Sequence, residues 1–521
     1  MVALEQASER NGVSTDTLME NAGLAVAQAA RGMLGSVAGS RVLVLVGPGN
    51  NGADGLVTAR HLQRWGADVT AYLATERPDQ DPKMTAARQY GISVVDAAAD
   101  PDLQKFNQLL GASRLVIDSI LGTGRARPLE GVVREITQRV NSCRCWSRRP
   151  QILALDLPTG VNADTGDVDP AALDVDVTVA LALPKVGLLT FPGVTSVGRL
   201  EVVDIGLPSA MPEEQAIDLE LLAAGWVGSQ LPVRPLNSHK GTFGHLLVVA
   251  GSRSYVGAAC LAAGAALRVG AGLVTLATPE SVYPIAAAKV TEAIHLPLPE
   301  DSDGRVHPQA ADVIRAKLPG ISALAIGSGM GWSEGTTEFM QKLLLVESPS
   351  RPSLDIPLVV DADGLNNLSR CPDWWRHFDS RVVLTPHPGE MATLTGTSTQ
   401  QVQSHRVLVA REWAVRWGVT VALKGANTVV AGPEGLAQVS PFANPGLASG
   451  GTGDVLTGIV GGLMAQGLGP AVAASCGVYL HGAAGQSVTD QKGNAGIVAS
   501  DLIAVLPETI KHLKLVAKNP A

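Results

Sequence analysis

The feature that most constrains the fold is a series of short, uninterrupted apolar runs that end in glycine or polar residues. Runs of this kind are typical of parallel strands buried on both faces. Helical stretches, such as residues 53–66, separate them, and this alternation predicts right-handed βαβ units in a doubly wound sheet. In the first half the runs are RVLVLVG (41–47), DVTAYL (68–73), RLVID (114–118), ILALDLP (152–158) and VTVALAL (177–183).

The same pattern starts again in the second half of the chain. Its runs are HLLVVAG (245–251), GLVTLATP (272–279), ALAIGSG (323–329), PLVVDADG (357–364), VVLTPHPGE (382–390) and VALKGANTVVAG (421–432). Between the halves lies a stretch with prolines at both ends and mixed charge, which indicates a domain boundary. We therefore expect an α/β protein with two three-layer αβα domains, 1–210 and 237–515, joined by a linker at 211–236.

Composition and charge exclude several classes of protein. The formal net charge of −8 comes without a basic stripe, which argues against a nucleic-acid partner. Glu5 and Glu9 interrupt the apolar core that a secretory signal would need. Residues 256–278 contain Arg268 and several glycines, so we interpret them as a buried helix and strand rather than a membrane span. Five cysteines without a disulfide or zinc pattern fit reduced thiols. We expect a cytoplasmic protein, away from membranes, that forms a homo-oligomer.

A glycine turn follows the first strand. Gly47, Gly49 and Gly52 satisfy the dinucleotide fingerprint G-x-G-x-x-G between a predicted strand and a predicted helix. Asp54 opposes that interpretation, because a carboxylate at the helix start would repel a pyrophosphate bound there. The pattern alone leaves both a dinucleotide site and a different use of the turn open.

Two further aspartates, Asp118 and Asp156, stand at the ends of predicted strands. Because the carboxyl ends of parallel strands line one crevice, both can converge with Asn50 and Asn51. Clustered carboxylate and amide oxygens suit a bound cation or acid–base chemistry on a hydroxyl group. The alternative is that each aspartate only caps the turn after its strand.

The motifs GPGNNGADG, VIDSILGTG and DLPTGVNADTG, with LMENAG upstream, resemble the NAD(P)H-hydrate epimerase family. The resemblance implies a Rossmann-like fold, interconversion of the R and S forms of hydrated nicotinamide cofactor, and a potassium ion. Ala53 and Thr159 depart from the glycine and serine that are usual there. By the resemblance, potassium would be bound by Asn51, Asp118 and Thr159. Asp156 would be catalytic, and substrate would contact Asn50, Asn51, Gly52, Ala53, Asp54, Gly122, Thr123, Gly124, Arg125, Ala126, Arg127, Pro128 and Asp156.

In the second half, NPGLASGGTGDVLTG (444–458) places one carboxylate, Asp454, in a glycine-rich turn before an apolar helix. Such a turn gathers backbone N–H groups into an anion hole for phosphate. A carboxylate there can accept a hydroxyl proton while the amides stabilise a transferring phosphoryl group. The alternative is that Asp454 is an ordinary helix cap.

The GGTGD turn resembles the anion hole of the ribokinase-like superfamily. In LTPHPGEM, His387 replaces the asparagine of the Asn-x-x-Glu element, which points to the NAD(P)H-hydrate dehydratase branch. HKGTFGHLLVVAGS and VVDADGLN are also similar to that branch. The resemblance implies dependence on ADP or ATP, with Mg²⁺ at Glu390 and Asp454 as the catalytic base. Hydrated cofactor would contact Ala258, Gly329, His387 and Asp454, and nucleotide would contact Lys424, Gly425, Ala426, Asn427, Thr428 and Gly453.

Together the two resemblances imply a bifunctional repair enzyme acting on hydrated NADH and NADPH (NADHX and NADPHX). The first domain would convert the R hydrate into the S hydrate, and the second would dehydrate the S form. Two other functions stay open at this point. One is a small-molecule kinase acting on an alcohol such as a hydroxymethylpyrimidine, and the other is a non-catalytic nucleotide-binding scaffold or sensor.

Overall fold

The computed structural model describes residues 2–78, 80–124, 128–208, 211–345 and 354–518. The chain divides into two compact units, Met1–Ile217 and Asp218–Ala521. Each unit has its own sheet, so each is described by itself.

The first unit is built on a parallel sheet. Its described strands are β1 (Arg41–Val46), β2 (Asp68–Leu73), β3 (Ser93–Asp96), β4 (Leu115–Ser119), β5 (Gln151–Leu155), β6 (Val177–Leu181) and β7 (Arg199–Val203). They lie in the order β3-β2-β1-β4-β5-β6-β7, and all neighbouring pairs are parallel. This extends the Rossmann strand order by one strand.

Helices cover both faces of this sheet. They are α1 (Val2–Arg10), α2 (Thr15–Leu34), α3 (Asn50–Arg64), α4 (Pro82–Gln89), α5 (Gln104–Ala112), α6 (Gly131–Ser142) and α7 (Pro212–Gln215). Along β1, Val42 and Val44 pack with α2, α3 and α4, whereas Leu43 and Leu45 pack with α5 and α6. Because successive strand residues point to opposite faces, this alternation gives the predicted αβα sandwich.

The second unit contains a larger sheet. Its described strands are β8 (Leu219–Leu221), β9 (His245–Val249), β10 (Leu273–Pro279), β11 (Ile294–Leu298), β12 (Ala323–Ile326), β13 (Leu358–Val360), β14 (Val382–Leu384), β15 (Thr420–Leu423), β16 (Val429–Ala431) and β17 (Ala437–Val439). The order is β11-β10-β9-β12-β13-β14-β15-β16-β17-β8. Only β16 runs antiparallel to its neighbours among these strands.

The helices of the second unit are α8 (Ala224–Gln230), α9 (Val256–Val269), α10 (Tyr283–Lys289), α11 (Ala310–Lys317), α12 (Glu334–Met340), α13 (Asp363–Leu368), α14 (Pro388–Thr395), α15 (Thr399–Ser404), α16 (Arg406–Trp417), α17 (Thr452–Ala465), α18 (Pro470–Lys492) and α19 (Ala499–Lys518). A large core cluster joins α8, α9, α17, α18 and α19 to one face of the sheet, through residues such as Leu246 and Val248. Leu247 and Val249 alternate with them and are also fully buried, so the other face is covered as well. The fold-class prediction is therefore confirmed.

Segment 211–236, expected as a linker, carries α7, β8 and α8. The strand β8 pairs in parallel with β17 and so belongs to the sheet of the second unit. Leu222, Val227 and Leu231 join the core of that unit. These apolar residues are spaced among prolines and charges, which is why the segment has the composition of a linker.

The predicted strands with continuous apolar runs all form, and the predicted helix at 15–34 is α2, capped by Ser14 through a hydrogen bond from Thr17 N. The strands that were not predicted include the edge strands β3, β7 and β11, whose residues are partly exposed. An edge strand lacks the continuous apolar run of a central one. Within the described ranges, no helix has the length and apolarity that a membrane span requires.

Candidate functional sites

The glycine turn between β1 and α3 is closed by a side chain of the protein itself. The Arg77 guanidinium, from the segment after β2, donates to Gly47 O and, at 3.1 Å, to Gly49 O. A Cβ on Gly52 would lie 2.6 Å from Arg77 Nη1. The Arg77 guanidinium therefore occupies the space close to the backbone that a dinucleotide pyrophosphate would need. Arg77 is held there by Asp81, with 2.5 Å between Nη2 and Oδ2.

The three predicted potassium ligands lie together at the carboxyl ends of β4 and β5. Asp118 Oδ1 accepts from Thr159 Oγ1 at 2.7 Å, and Asp118 Oδ2 accepts from Thr159 N at 2.7 Å. Leu121 N donates to Thr159 Oγ1 at 3.1 Å, and Leu121 O accepts from Asn51 Nδ2 at 3.0 Å. Burial raises the pKa of Asp118 to about 6, although its bonds from Thr159 lower it.

This cluster offers hydroxyl, amide and carboxylate oxygens and a single acid. Hard cations take oxygen ligands, and one carboxylate suits a singly charged ion better than a divalent one. The donor set therefore fits a monovalent cation.

Above the cluster opens a cavity of about 1030 Å³. Gly52 and Ala53 are buried in α3 and do not line it, and Arg125, Ala126 and Arg127 lie outside the described residues. The predicted substrate residues that line it are Asn50, Asn51, Asp54, Gly122, Thr123, Gly124, Pro128 and Asp156. The volume and the mixture of apolar and polar lining residues suit a small organic ligand.

Asp54 and Asp156 face this cavity in different surroundings. Asp54 Oδ1 is buried and has no hydrogen-bond partner among the described residues. Burial, with the charges of Asp156 and Glu5, raises the pKa of Asp54 well above its usual range. Asp156 has φ +70°, a strained conformation for a residue other than glycine that costs about 1–3 kcal/mol. Its carboxylate forms an ion pair with Lys185, a residue that the sequence patterns did not single out.

In the second unit, Asp454 lies in the first turn of α17 and is partly buried. The turn before it uses Gly451 at φ +90°, and the first N–H groups of the helix have no intrahelical partner. Burial and the charge of Asp361 raise the pKa of Asp454 to about 6, against the lowering effects of Ser328 and Lys424. The structure thus combines a helix start whose free N–H groups suit an anion with a carboxyl group whose pKa is raised to about 6.

Asp361, which follows β13, organises the charges around Asp454. It accepts from Lys424 Nζ at 2.5 Å and from Thr457 Oγ1 at 2.6 Å. Lys424 Nζ also lies 3.7 Å from Glu390 Oε2. The motif VVDADGLN contained Asp361, but only the fold shows that it meets Lys424. The Lys424 ammonium, predicted to contact nucleotide, is therefore close to the carboxyl groups of Asp361, Glu390 and Asp454.

His387 and Glu390 form a reciprocal cap at the start of α14. His387 Nδ1 accepts from Gly389 N at 3.0 Å and from Glu390 N at 3.2 Å, while Glu390 Oε2 accepts from His387 N at 2.7 Å. Burial and Lys424 lower the pKa of His387, so the imidazole is neutral with Nε2 as its donor. Burial raises the pKa of Glu390. Glu390 is tied to the cap and to Lys424 in this arrangement.

The other predicted cofactor contacts also adjoin this site. Gly329 has φ +61°, and a Cβ there would lie 2.7 Å from the Cβ atoms of Ala258 and Tyr255. Ser328, next to Gly329, has a side chain that lowers the pKa of Asp454. Small residues at 258 and 329 therefore leave room beside the carboxylate.

The predicted nucleotide segment, 424–428, is the tight turn between β15 and β16. Thr428 Oγ1 donates to Gly425 O at 2.8 Å, and Asn427 Nδ2 donates to Ser440 O at 3.0 Å. A Cβ on Gly453 would lie 3.5 Å from Lys424 Nζ, so this turn and the start of α17 are adjacent. Arg406, not singled out from the sequence, supports the turn by donating to Leu423 O and Lys424 O at 2.9 and 3.2 Å.

Two family models match the chain. One, described as NAD(P)H-hydrate dehydratase, matches residues 246–508, and the other, described as YjeF-related protein N-terminus, matches residues 15–187. The chain is 40% identical to the bifunctional NAD(P)H-hydrate repair enzyme Nnr of Moorella thermoacetica over 98% of this chain and 94% of the relative. It is 34% identical to the Escherichia coli protein of the same name over 97% and 91% of the two chains.

Among solved structures, the second unit is similar to an ADP/ATP-dependent NAD(P)H-hydrate dehydratase from Bacillus subtilis that was co-crystallised with ATP and Mg²⁺. The identity is 33%, the match covers 57% of this chain and 100% of that one, and the TM-score is 0.49.

Proposed function

This chain belongs to the family of bifunctional NAD(P)H-hydrate repair enzymes, and we infer that its two units divide the work between them. The protein epimerises the R and S hydrates of NADH and NADPH and dehydrates the S form. We assign epimerisation to the cavity of the first unit and nucleotide-dependent dehydration to the Asp454 site of the second. The observation that carries the second assignment is the partly buried Asp454 carboxylate at the start of α17.

Dehydration follows from the position of Asp454. Its carboxylate accepts the proton of the ring hydroxyl while a phosphoryl group is transferred from the nucleotide to that oxygen. The N–H groups at the start of α17 stabilise the negative charge on the phosphoryl group. The C–O bond then breaks, phosphate leaves, and loss of a proton from the neighbouring ring carbon restores the double bond.

The nucleotide is ADP or ATP, held by residues 424–428 and Gly453. Mg²⁺ requires oxygen ligands, and the carboxylates of Asp361 and Glu390 are the candidates beside the phosphate position. Both carboxylates form ion pairs with Lys424. A metal bound there would therefore have to be coordinated by carboxylates that also contact the ammonium group. Bound Mg²⁺ would neutralise phosphate charge.

In the first unit, Asn51, Asp118 and Thr159 would hold potassium, and the bound ion would supply a positive charge beside the substrate. We expect epimerisation to slow when potassium is replaced by a bulky organic cation, because that ion cannot reach the three buried oxygens. The rate is measured by chromatographic separation of R and S hydrates without nucleotide, at constant ionic strength. An unchanged rate would show that the cluster is only a hydrogen-bonded structural unit.

The dehydration rate is expected to depend on pH through Asp454. A general base acts in its ionised form, and the pKa of this carboxyl is raised to about 6. The rate should therefore be half-maximal near pH 6 and level at higher pH, rather than be half-maximal near the ordinary pKa of an aspartate, roughly 4. A profile of kcat/KM on the pure S hydrate tests this, and a level already reached near pH 4 would contradict it.

One assay distinguishes this function from the alternatives. Separated R and S hydrates are incubated with ADP or with ATP, and the near-ultraviolet absorbance of reduced nicotinamide is followed. The S hydrate should recover absorbance with a nucleotide, and the R hydrate should follow after epimerisation. A kinase would instead phosphorylate a hydroxymethylpyrimidine without this recovery, and a scaffold would bind nucleotide without turnover. Cytoplasmic location and homo-oligomeric assembly stay predictions.

A further inference from the structure

The cavity of the first unit contains a buried ion pair between Asp156 and Lys185. The Lys185 ammonium contacts Asp156 Oδ1 and also donates to Leu181 O at 3.0 Å. Leu181 N donates to the same Oδ1 at 3.1 Å. The two side chains are only 11% and 7% exposed, and both residues line the cavity. Since these contacts all go to Oδ1, and the described residues give Oδ2 no donor, Oδ2 is the atom left for a ligand.

Asp54 lines the same cavity and has the opposite environment. No donor or cation contacts its buried Oδ1, whereas Asp156 has an ammonium and a backbone N–H. Two carboxyl groups that share a site divide into a proton donor and a proton acceptor when only one of them has a cationic partner.

Resting on the proposed epimerase function, we infer that Lys185 is a positioning residue for epimerisation. It holds the Asp156 carboxylate at the cavity wall as proton acceptor, while Asp54 in the same cavity is the proton donor. Each of the two carboxyl groups thus has a separate part in the reaction.

The chemistry balances without any further reactant. Hydration of an enamine places the hydroxyl on the carbon bonded to the ring nitrogen. Asp54 gives its proton to this hydroxyl, the C–O bond breaks, water leaves, and the nitrogen lone pair forms a C=N bond. Water then adds to the other face of the carbon, returning the electron pair to nitrogen and its proton to Asp156 Oδ2. Exchange of one proton with solvent at each carboxyl group restores the enzyme, and no oxidant or reductant takes part.

The other charged groups at this site are few. Glu5, Asp167 and Asp169 also line the cavity, and Lys83 acts on Asp54 from α4. Lys83 is engaged by Asp16 and Glu20, at 2.7 and 2.6 Å. Lys185 is therefore the cation that contacts a cavity carboxylate directly within the described structure.

The test is the pH profile of epimerisation in Lys185→Met and Lys185→Arg, measured on R hydrate without nucleotide. Lys185→Met should lower the rate at neutral pH about 10-fold or more, a part of the range that acid–base catalysis contributes. It should also move the acidic limb of the profile to higher pH by about one unit or more, because Asp156 loses the charge that favours its ionised form. Lys185→Arg should restore the position of the limb at least in part.

Arg149→Met is the matched control, because it removes the cation from another partly buried ion pair of the same unit, with Asp176, outside the cavity. It should leave the limb in place. A Lys185→Met enzyme with an unchanged limb, or with a loss equal at every pH, would overturn the inference. If Lys185→Met fails to fold, Lys185→Gln takes its place, and an acidic limb that stays unshifted in Lys185→Gln overturns the inference. Absence of epimerisation in the unaltered enzyme would instead refute the proposed function.

Discussion

Asp454→Asn is expected to reduce dehydration of the S hydrate by roughly 100-fold or more, the scale of a lost general base. Asparagine keeps the size of the side chain and leaves the anion-binding N–H groups in place, so folding and nucleotide binding should change little. The initial rate is measured with saturating ADP or ATP on the pure S hydrate. Nucleotide affinity is measured separately, so that a binding defect is not mistaken for a chemical one.

Asp501→Asn is the matched control for this experiment. Asp501 also lies in the first turn of a helix of the second unit, where it caps Val498 N and pairs with Lys492. Its replacement should leave turnover near normal. Near-normal turnover in Asp454→Asn as well would reduce Asp454 to a helix cap and remove the proposed mechanism.

Asp156→Ala is expected to abolish most epimerisation while dehydration of the S hydrate continues at its full rate. The reason is that the two sites have no residue in common, each being built from one unit. On a mixture of hydrates, recovery of reduced cofactor should stop once the S portion is consumed, apart from slow uncatalysed epimerisation. The final absorbance, compared with that of the unaltered enzyme, is the measurement.

Asp204→Ala provides the comparison, since Asp204 directly follows β7 as Asp156 follows β5, but it is exposed and lies outside the cavity. That variant should consume both hydrates. If Asp156→Ala consumes the R form as fast as the unaltered chain, the cavity of the first unit is not the epimerase site.

The sequence predicted the parts of the fold that depend on local pattern. Central strands such as β1 and β12 are buried on both faces and therefore read as continuous apolar runs. Edge strands such as β7 were missed because exposed positions interrupt their runs. The same limit applies to segment 211–236, where β8 is fixed by pairing with β17, a strand far away in the chain.

Some residues of the candidate sites were likewise predictable from the sequence, and others were not. The convergence of Asn51, Asp118 and Thr159 follows from strand ends that meet at one edge of a parallel sheet, so it was predictable. The roles of Lys185 and Asp361 were missed because neither the sequence around Lys185 nor the motif that contains Asp361 shows which charged group the residue contacts. Their significance comes from a contact partner, Asp156 or Lys424, that another strand supplies.

Arg77 changes how the glycine fingerprint of this chain should be interpreted. Gly47, Gly49 and Gly52 have the spacing and the strand-turn-helix setting of a coenzyme-binding turn, yet the turn binds a guanidinium through its carbonyl groups instead of a pyrophosphate through its amides. A turn with the same glycine spacing can therefore bind an anion through its amides or a cation through its carbonyl groups. In this chain the difference is made by Arg77, which lies four residues after β2 and is itself paired with Asp81.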